Sequence, residues 1–320
     1  MSINHLNILV TGGAGFIGSN IVEYLINNQV KFVRIIDNLS TGNINNISKF
    51  LECKNIEFIK GDISDPNICK NIVKGIDVIC HQAALGSVPR SINNPYDSHN
   101  SNVNGFFNIL NAAREQGIKR FVYASSSSVY GDIDTFSKKE ELTGNLLSPY
   151  GVTKYIDELY AKIFYKIYDM ECIGLRYFNV FGPKQNPLGS YAAVIPNFIS
   201  KLINNQRPII NGDGLQSRDF TFVSNVVFAN ILSLTTINKD CYGQVFNIGC
   251  GQKISVLDLF NLLNMELGTK IEPEFQNKRE GDITHSLANI EKSKIMLNYF
   301  PIIDLKKGIG LTINYYKTNL

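Results

Sequence analysis

The sequence predicts an α/β fold: a doubly wound parallel sheet followed by a smaller, less regular α/β lobe. Three observations carry that expectation. Short β-like runs alternate with amphipathic stretches through the first half, a glycine-rich turn joins the first of these runs to a helix, and after about residue 180 the alternation gives way to loops rich in Gly, Pro and Asn. Alternating β and α segments imply parallel strands with helices covering both faces.

In order, NILV (7–10), FVRIID (32–37), IEFIKGD (56–62), VICHQAA (78–84), FVYASS (121–126) and CIGLRYF (172–178) are the expected strands. GFFNILNAARE places Phe106, Ile109, Leu110 and Ala113 at i, i+3, i+4, i+7, which is one face of a helix. SPYGVTKYIDELY (148–160) reads as a helix with Ser148 as N-cap and Pro149 in the first position. FGPKQNPLGSYAAVIP and NGDGLQSRDF read as loops and turns, followed by helical stretches at 191–205, 223–235 and 255–267. The expected division is a nucleotide-binding domain over 1–178, with a segment around 220–240 packing back onto it, and a substrate lobe over 179–320. Ligands on such sheets bind beyond the carboxyl ends of the strands.

Composition excludes several function classes. The chain has 320 residues, 44% hydrophobic and 18% charged, ample for a globular core. A formal charge of +3 from scattered basic residues argues against a nucleic-acid or membrane-surface partner. There is no apolar run of about 18 residues, so no membrane span is expected, and the opening MSINHLNILVTGG lacks the layout of a secretory signal. Six cysteines without a CxxC pair read as reduced thiols in a cytoplasmic protein, and the four scattered histidines offer no zinc spacing, so no metal is expected.

TGGAGFIGSN (11–20) carries glycines at 12, 15 and 18 on a strand–turn–helix. Gly12 suits a tight turn, Gly15 lets the backbone approach a pyrophosphate, and Gly18 permits close helix–strand packing, the layout of a Rossmann-type dinucleotide site. The free N–H groups of the helix start face the phosphates. Asp37 ends the next strand, 19 residues after Gly18. Its carboxylate accepts from ribose hydroxyls and repels a 2′-phosphate, which selects NAD over NADP. Asp62 in GDISD either meets the adenine amino group or caps the next helix, and Gln82, Ala83 and Ala84 in HQAA suit close passage of a cofactor.

ASSSSVYG (124–131) ends a buried strand on four serines, each with a hydroxyl that needs a partner. Downstream, Tyr150 and Lys154 are i, i+4 and share a helix face. Tyrosine is ordinarily protonated at neutral pH, with a pKa of about 10. A neighbouring lysine cation and a positive nicotinamide ring lower it and make a usable base.

TGGAGFIG, the strand-end serines, YGVTK, RYFNVFGP and NGDGLQSRDF together resemble the extended short-chain dehydrogenase/reductase family over nearly the whole chain. AALGSVPRS (83–91), RYFNVFG (176–182) and REGDITHS (279–286) look like its UDP-hexose 4-epimerases, notably those acting on N-acetylated sugars. The resemblance implies a tightly bound NAD, a UDP-sugar substrate and a homodimer built through two helices per subunit. It implies that Tyr150 takes the proton from the sugar 4-hydroxyl while C4 gives a hydride to NAD, and that the 4-keto sugar turns before hydride returns to its other face. Lys154 then holds the nicotinamide ribose, and Ser126, four residues before Tyr130, shares the hydrogen bond on O4. Cofactor contacts are implied further for Phe16, Ile17, Asn38, Ser40, Thr41 and Gly42, for Ile63, Asn102 and Ala124, and for Tyr177 and Val180.

For the substrate, the resemblance implies that Arg218 and Arg279 hold the pyrophosphate with Asn179, that Ala193, Val194, Ile210 and Asn211 clasp uridine, and that Asp282 holds the ribose. Gly86, Ser87, Ser127, Ser128 and Ser286 line the sugar pocket. Small residues at Gly86 and Ser286 leave room for an N-acetyl group. Sister 4,6-dehydratases and decarboxylases carry acids just after the serine matched by Ser126. Ser127 and Ser128 stand there instead, which favours plain epimerisation. The readings kept open are UDP-N-acetylglucosamine/UDP-N-acetylgalactosamine 4-epimerase, with or without UDP-glucose/UDP-galactose, the N-acetylhexosaminuronic acid counterpart with Arg90 near its carboxylate, another NAD-dependent nucleotide-sugar oxidoreductase or lyase, and a non-enzymatic NAD sensor. A sensor has no need of the Tyr/Lys pair.

Overall fold

The computed structural model describes residues 3–188, 192–277 and 285–319. β1 (Asn7–Thr11), β2 (Phe32–Asp37), β3 (Ile56–Lys60), β4 (Val78–His81), β5 (Arg120–Ser126) and β6 (Glu171–Tyr177) form a parallel sheet. These strands are near-continuous apolar runs because helices cover both faces. On one side lie α1 (Phe16–Asn27) and residues packed with Ile8, Val10, Val33 and Ile35. On the other, α2 (Pro66–Ile72) and α5 (Gly105–Glu115) bury Leu9, Ile36, Ile79 and Phe121. Phe106, Ile109, Leu110 and Ala113 all face that second core, the stripe their spacing predicts. Burying an aliphatic or aromatic side chain of this kind stabilises the fold by about 1.5–3 kcal/mol.

Between β4 and α5 the chain makes two short helices, α3 (Val88–Asn93) and α4 (Pro95–His99), and then one π-helical turn over Asn100–Asn104. The wide turn carries Asn102 inward, where it is fully buried. After β5, a 3₁₀ turn over Ser127–Tyr130 leads towards α6 (Pro149–Tyr168). Ser148 caps α6, accepting from the Gly151 amide at 3.1 Å, and Pro149 occupies its first turn.

The lobe begins beyond β6. β7 (Val180–Phe181) precedes α7 (Val194–Ile203), β8 (Ile209–Asn211), β9 (Ser217–Arg218) and β10 (Thr221–Phe222). α8 (Val223–Thr235) then returns to the main sheet, packing on α1 and on β4, β5 and β6. β11 (Gln244–Ile248) follows and pairs in parallel with β6, giving the order β11-β6-β5-β4-β1-β2-β3. This seventh strand is absent from the sequence reading. QVFNI is a five-residue run between Gly243 and Gly249, far from its partner, and so short a run carries no period that assigns it to a sheet. β12 (Ile254–Ser255), α9 (Val256–Leu267), β13 (Glu274–Gln276), β14 (His285–Ser286), α10 (Glu291–Leu297) and α11 (Leu305–Asn319) complete the chain. Phe181, Ile199, Phe222, Leu259 and Ile309 anchor the lobe's own core.

All six cysteines carry free thiols. Among the described residues no helix is long and apolar enough to cross a membrane.

Candidate active site

A cleft of about 610 Å³ runs along the carboxyl ends of the parallel strands. Its floor is the glycine turn. Gly12 has φ +67°, and a Cβ there would lie 2.7 Å from the Ala83 Cα. Gly18 packs directly on the Gly12 carbonyl. Gly15 starts α1 with no side-chain cap, so the first amides of the helix remain available to a ligand's oxygens. Phe16 and Ile17 complete that wall.

Asp37 accepts from the Ala14 amide at 3.0 Å and the Leu39 amide at 2.8 Å. Burial raises its carboxyl above the ordinary range, against those two amides. A side chain on Gly42 would run into that carboxylate, with its Cβ 2.9 Å from the oxygens. Asn38 donates to Asp62 at 2.8 Å. Burial works against the charge of Asp62, but the Ser64 amide and Asn38 outweigh it and hold the carboxyl below its usual value. The helix cap left open for GDISD falls to Asp65, which accepts from the Asn67 amide. Ser40, Thr41, Ile63, Gln82, Ala83, Ala84, Ala124 and Tyr177 all line the cleft. Tyr177 donates to Gln82 at 3.1 Å and accepts from Asn230 at 2.8 Å, and burial holds its phenol well above the usual range.

At the far end stand Tyr150, Lys154 and Gly86. A Cβ placed on Gly86 would sit 3.8 Å from the Tyr150 hydroxyl, so position 86 governs the space at the reacting end. Ser91 accepts from the Tyr150 amide at 3.0 Å and ties α3 to the first turn of α6. Lys154 is 1% exposed and donates to the Ala124 carbonyl at 3.0 Å and to Asp157 at 3.1 Å.

The four serines have separate partners. Ser125 donates to Glu158 at 2.5 Å, and Glu158 is paired with Arg176 through two bonds of 2.8 and 2.7 Å. Ser126 accepts from the Ser128 amide at 3.1 Å and caps the 3₁₀ turn. Ser125 therefore spends its proton inside the protein, whereas Ser126 keeps its own without an acceptor among the described residues. Ser127 and Ser128 are half-buried in that turn.

Several expected contacts fall elsewhere. Asn102 lies behind the wall rather than in it, accepting from the Leu85 amide at 2.8 Å and donating to Thr153 at 3.1 Å, because the π-helical turn points it inward. Val180 packs against the two cores, and Ile210, 1% exposed, is a core residue of the lobe; neither side chain reaches the cleft wall. Ser87 caps α3 through the Arg90 amide. Of the expected substrate contacts, Gly86, Tyr150 and Ala193 line the cleft. Val194 opens α7 beside Ala193, and the Asn211 carbonyl accepts from Gln216 at 2.8 Å. Asn179 has φ +31°, a strained backbone, and its amide holds the Asp219 carbonyl at 3.0 Å. Arg218 and Ser286 are register partners on parallel strands, so their side chains share a face. Asp219, next along the chain, is buried and accepts from the amides of Cys250 (2.9 Å), Gly251 (2.9 Å) and Ala288 (3.2 Å); burial nonetheless pushes it up to about 6. Arg279 and Asp282 lie outside the described residues.

The cleft also has walls that the sequence reading does not contain. Lys184, Gln185 and Asn186 line it, with Tyr315, Tyr316 and Asn319 from the end of α11, and the Tyr316 hydroxyl donates to the Gln185 carbonyl. These two segments are 131 residues apart, and no local pattern links them.

The NAD dependent epimerase/dehydratase family matches residues 8–249, which is most of the chain. The chain belongs to that family. A provisionally named UDP-glucose 4-epimerase of Methanocaldococcus jannaschii is 42% identical over 98% of this chain and 99% of its own length. The UDP-N-acetylglucosamine 4-epimerase of Methanobrevibacter ruminantium, solved with UDP-N-acetylmuramic acid, superposes with TM-score 0.94 at 37% identity, covering 99% of this chain and 100% of that one. The UDP-glucuronic acid 4-epimerase of Bacillus cereus, solved with UDP-glucuronic acid and NAD, does so with TM-score 0.91 at 30% identity, covering 98% and 100%.

As in the rest of the epimerase/dehydratase family, the cofactor is NAD. The donors and spaces of this chain fit it. The uncapped start of α1 offers amides to a pyrophosphate, and Gly12 and Gly18 leave the backbone bare where a Cβ would intrude. Asp37 presents a buried carboxylate where a 2′-phosphate would be repelled.

Proposed function

We propose that this chain is a nucleotide-sugar 4-epimerase that interconverts UDP-N-acetylglucosamine and UDP-N-acetylgalactosamine through a 4-keto intermediate. The observation that carries the reading is the pairing of Tyr150 and Lys154 at one end of the cleft opposite a residue, Gly86, with no side chain. Likeness to a UDP-N-acetylglucosamine 4-epimerase supports the N-acetylated substrate.

Bound NAD supplies the hydride acceptor and donor at C4. Tyr150 takes the proton of the 4-hydroxyl and returns one when the opposite epimer forms, while Lys154 stabilises the phenolate. Ser126 contributes a hydroxyl to O4. Because Ser127 and Ser128 hold no carboxylate beside it, elimination of water has no acid to drive it. Gly86 leaves space for the ketosugar to turn. Arg218 with Arg279 and Asn179 holds the pyrophosphate, Asp282 and the segments at Ala193, Val194 and Asn211 hold uridine and its ribose, and Ser286 and Ser87 border the sugar.

A second reading, the N-acetylhexosaminuronic acid 4-epimerase, is favoured by Arg90, which lines the cleft with Gly86 and Tyr150. A product assay on a panel of acetylated, uronic and plain UDP-sugars separates the two. The expected result is UDP-N-acetylgalactosamine from UDP-N-acetylglucosamine with no net NADH. No turnover on any acetylated or uronic UDP-sugar would overturn the proposal. Ser286→Tyr is expected to damage turnover of acetylated substrates selectively, and an equal loss on UDP-galactose would remove Ser286 as a gate.

The functional unit is proposed to be a homodimer. Val152, Leu159, Ile163 and Ile167 stand exposed along α6, with Phe107 of α5 alongside. A strip of this kind is covered in an assembly more often than left in water. Ile163→Glu is expected to yield monomers by analytical ultracentrifugation; a wild-type monomer would refute the dimer. The six free thiols fit a reducing, cytoplasmic setting.

A further inference from the structure

Lys154 and Asp157 form an ion pair of 3.1 Å with side chains 1% and 0% exposed. A lysine has three N–H donors. One goes to the Ala124 carbonyl at the end of β5 and one to Asp157 Oδ2, so one remains for the cleft that Lys154 lines. The other oxygen, Asp157 Oδ1, is buried without a hydrogen-bond partner among the described residues. A core site that served packing alone would be more stable with an apolar residue than with a half-satisfied carboxylate. Among the described residues, its one side-chain hydrogen-bond partner is the lysine that stands one turn after Tyr150.

We propose that Asp157 is a positioning residue for the reaction: it clamps the Lys154 ammonium against the Ala124 carbonyl, and its negative charge sets how strongly that ammonium favours the phenolate form of Tyr150. The inference rests on Tyr150 being the proton acceptor, as proposed above.

The surrounding groups leave this role to Asp157. Glu158, the adjacent acid on α6, is engaged by Arg176 of β6 and Ser125 of β5. On β5, burial holds Tyr123 well above the usual phenol range, so it is neutral. On β4, burial, together with Lys154, holds His81 well below the usual histidine range. The Thr11 hydroxyl accepts from the Gln82 and Ala83 amides and stands 3.0 Å from His81 Nδ1, which makes it the donor to that neutral ring. Asp157 is thus the anion that offsets the Lys154 charge. Burial pushes it up to about 7, with Lys154 opposing, so its charge changes near neutral pH.

The test is the pH profile of kcat/KM for the holoenzyme carrying Asp157→Asn. Removing the anion leaves the ammonium unopposed, so the acidic limb is expected to move to lower pH by about half a unit to one unit, the size of a screened charge interaction across a helical turn or two. The wild-type limb is also expected to be shallower than that of the variant, because Asp157 changes charge near neutral pH. Asp157→Ser, smaller and equally uncharged, must shift the limb the same way, which guards against an Asn amide turning its N–H groups towards Lys154. A limb that stays in place or moves upward in a folded variant, with bound NAD retained, overturns the inference. Tyr150→Phe separates the two readings. If that variant stays active, the proton acceptor is misassigned. If it is inactive and the Asp157 variants show no shift, only the role of Asp157 fails.

Discussion

Tyr150→Phe is expected to lower kcat by about 10²–10⁴-fold, the range for removing a positioned general acid–base group. Bound NAD should be retained, because the glycine turn, Asp37 and the Asp62–Asn38 pair make no hydrogen bond to the Tyr150 phenol among the described residues. The hydroxyl lost is the atom that faces position 86 across the reacting end of the cleft. Turnover and cofactor stoichiometry measured on the same preparation distinguish lost chemistry from lost folding. Ser126→Ala should reduce kcat less than Tyr150→Phe but more than Ser125→Ala does at equal folded fraction, since the Ser125 proton is committed to Glu158. The reverse order for the two serines would transfer the O4 contact to Ser125, and wild-type rates in Tyr150→Phe would dismiss the tyrosine altogether.

The largest loss of stability is expected beneath that site. Glu158 and Arg176 are 6% and 2% exposed and bonded as a fork. Around them Arg176 donates to the Glu140 carbonyl at 3.1 Å and lies over the Tyr130 ring at 4.7 Å. The Tyr130 hydroxyl donates to Asn247 at 2.6 Å, and the Asn247 amide donates to Glu140 at 2.8 Å. The network joins α6, β5, β6, β11 and the loop at 138–140. Arg176→Met strands a buried carboxylate and is expected to cost about 3–5 kcal/mol, as single deletions from buried ion pairs do. Glu158→Gln strands the guanidinium at a similar cost. Denaturant midpoints give the measure, and the double variant should lose less than the sum of the singles, because neither partner is then left charged alone. A loss below about 1 kcal/mol in Arg176→Met would mean that the pair is dispensable.

How much of this was legible in the sequence depends on how local each signal is. The glycine turn, Asp37, the Ser148 cap and the Tyr150–Lys154 spacing are written within single elements, and periodicity alone assigns Phe106, Ile109, Leu110 and Ala113 to the core. What escaped is pairwise and distant. Asp157 reads as an ordinary polar residue in YIDELY until the fold turns it inward onto Lys154. Tyr316 meets Gln185 only through the lobe's tertiary packing. The partners of Asn102, Leu85 and Thr153, are set by a π-helical turn that leaves no trace in composition. Ile210 shows the converse limit: a motif match fixes a position along the chain without fixing which way its side chain faces, and here it faces the lobe's core.

The late arrival of β11 has a bearing on how the protein is made. β6, with Ile173 and Leu175 fully buried in the finished sheet, has no outer neighbour until Gln244–Ile248 has left the ribosome. Until then the nascent sheet presents a bare hydrogen-bonding edge, the kind of surface that recruits stray strands. Synthesis must therefore deliver the lobe's first segments, from β7 through α8, before the cofactor sheet is sealed, and a truncation ahead of Gln244 would leave a sticky fragment rather than a smaller working domain.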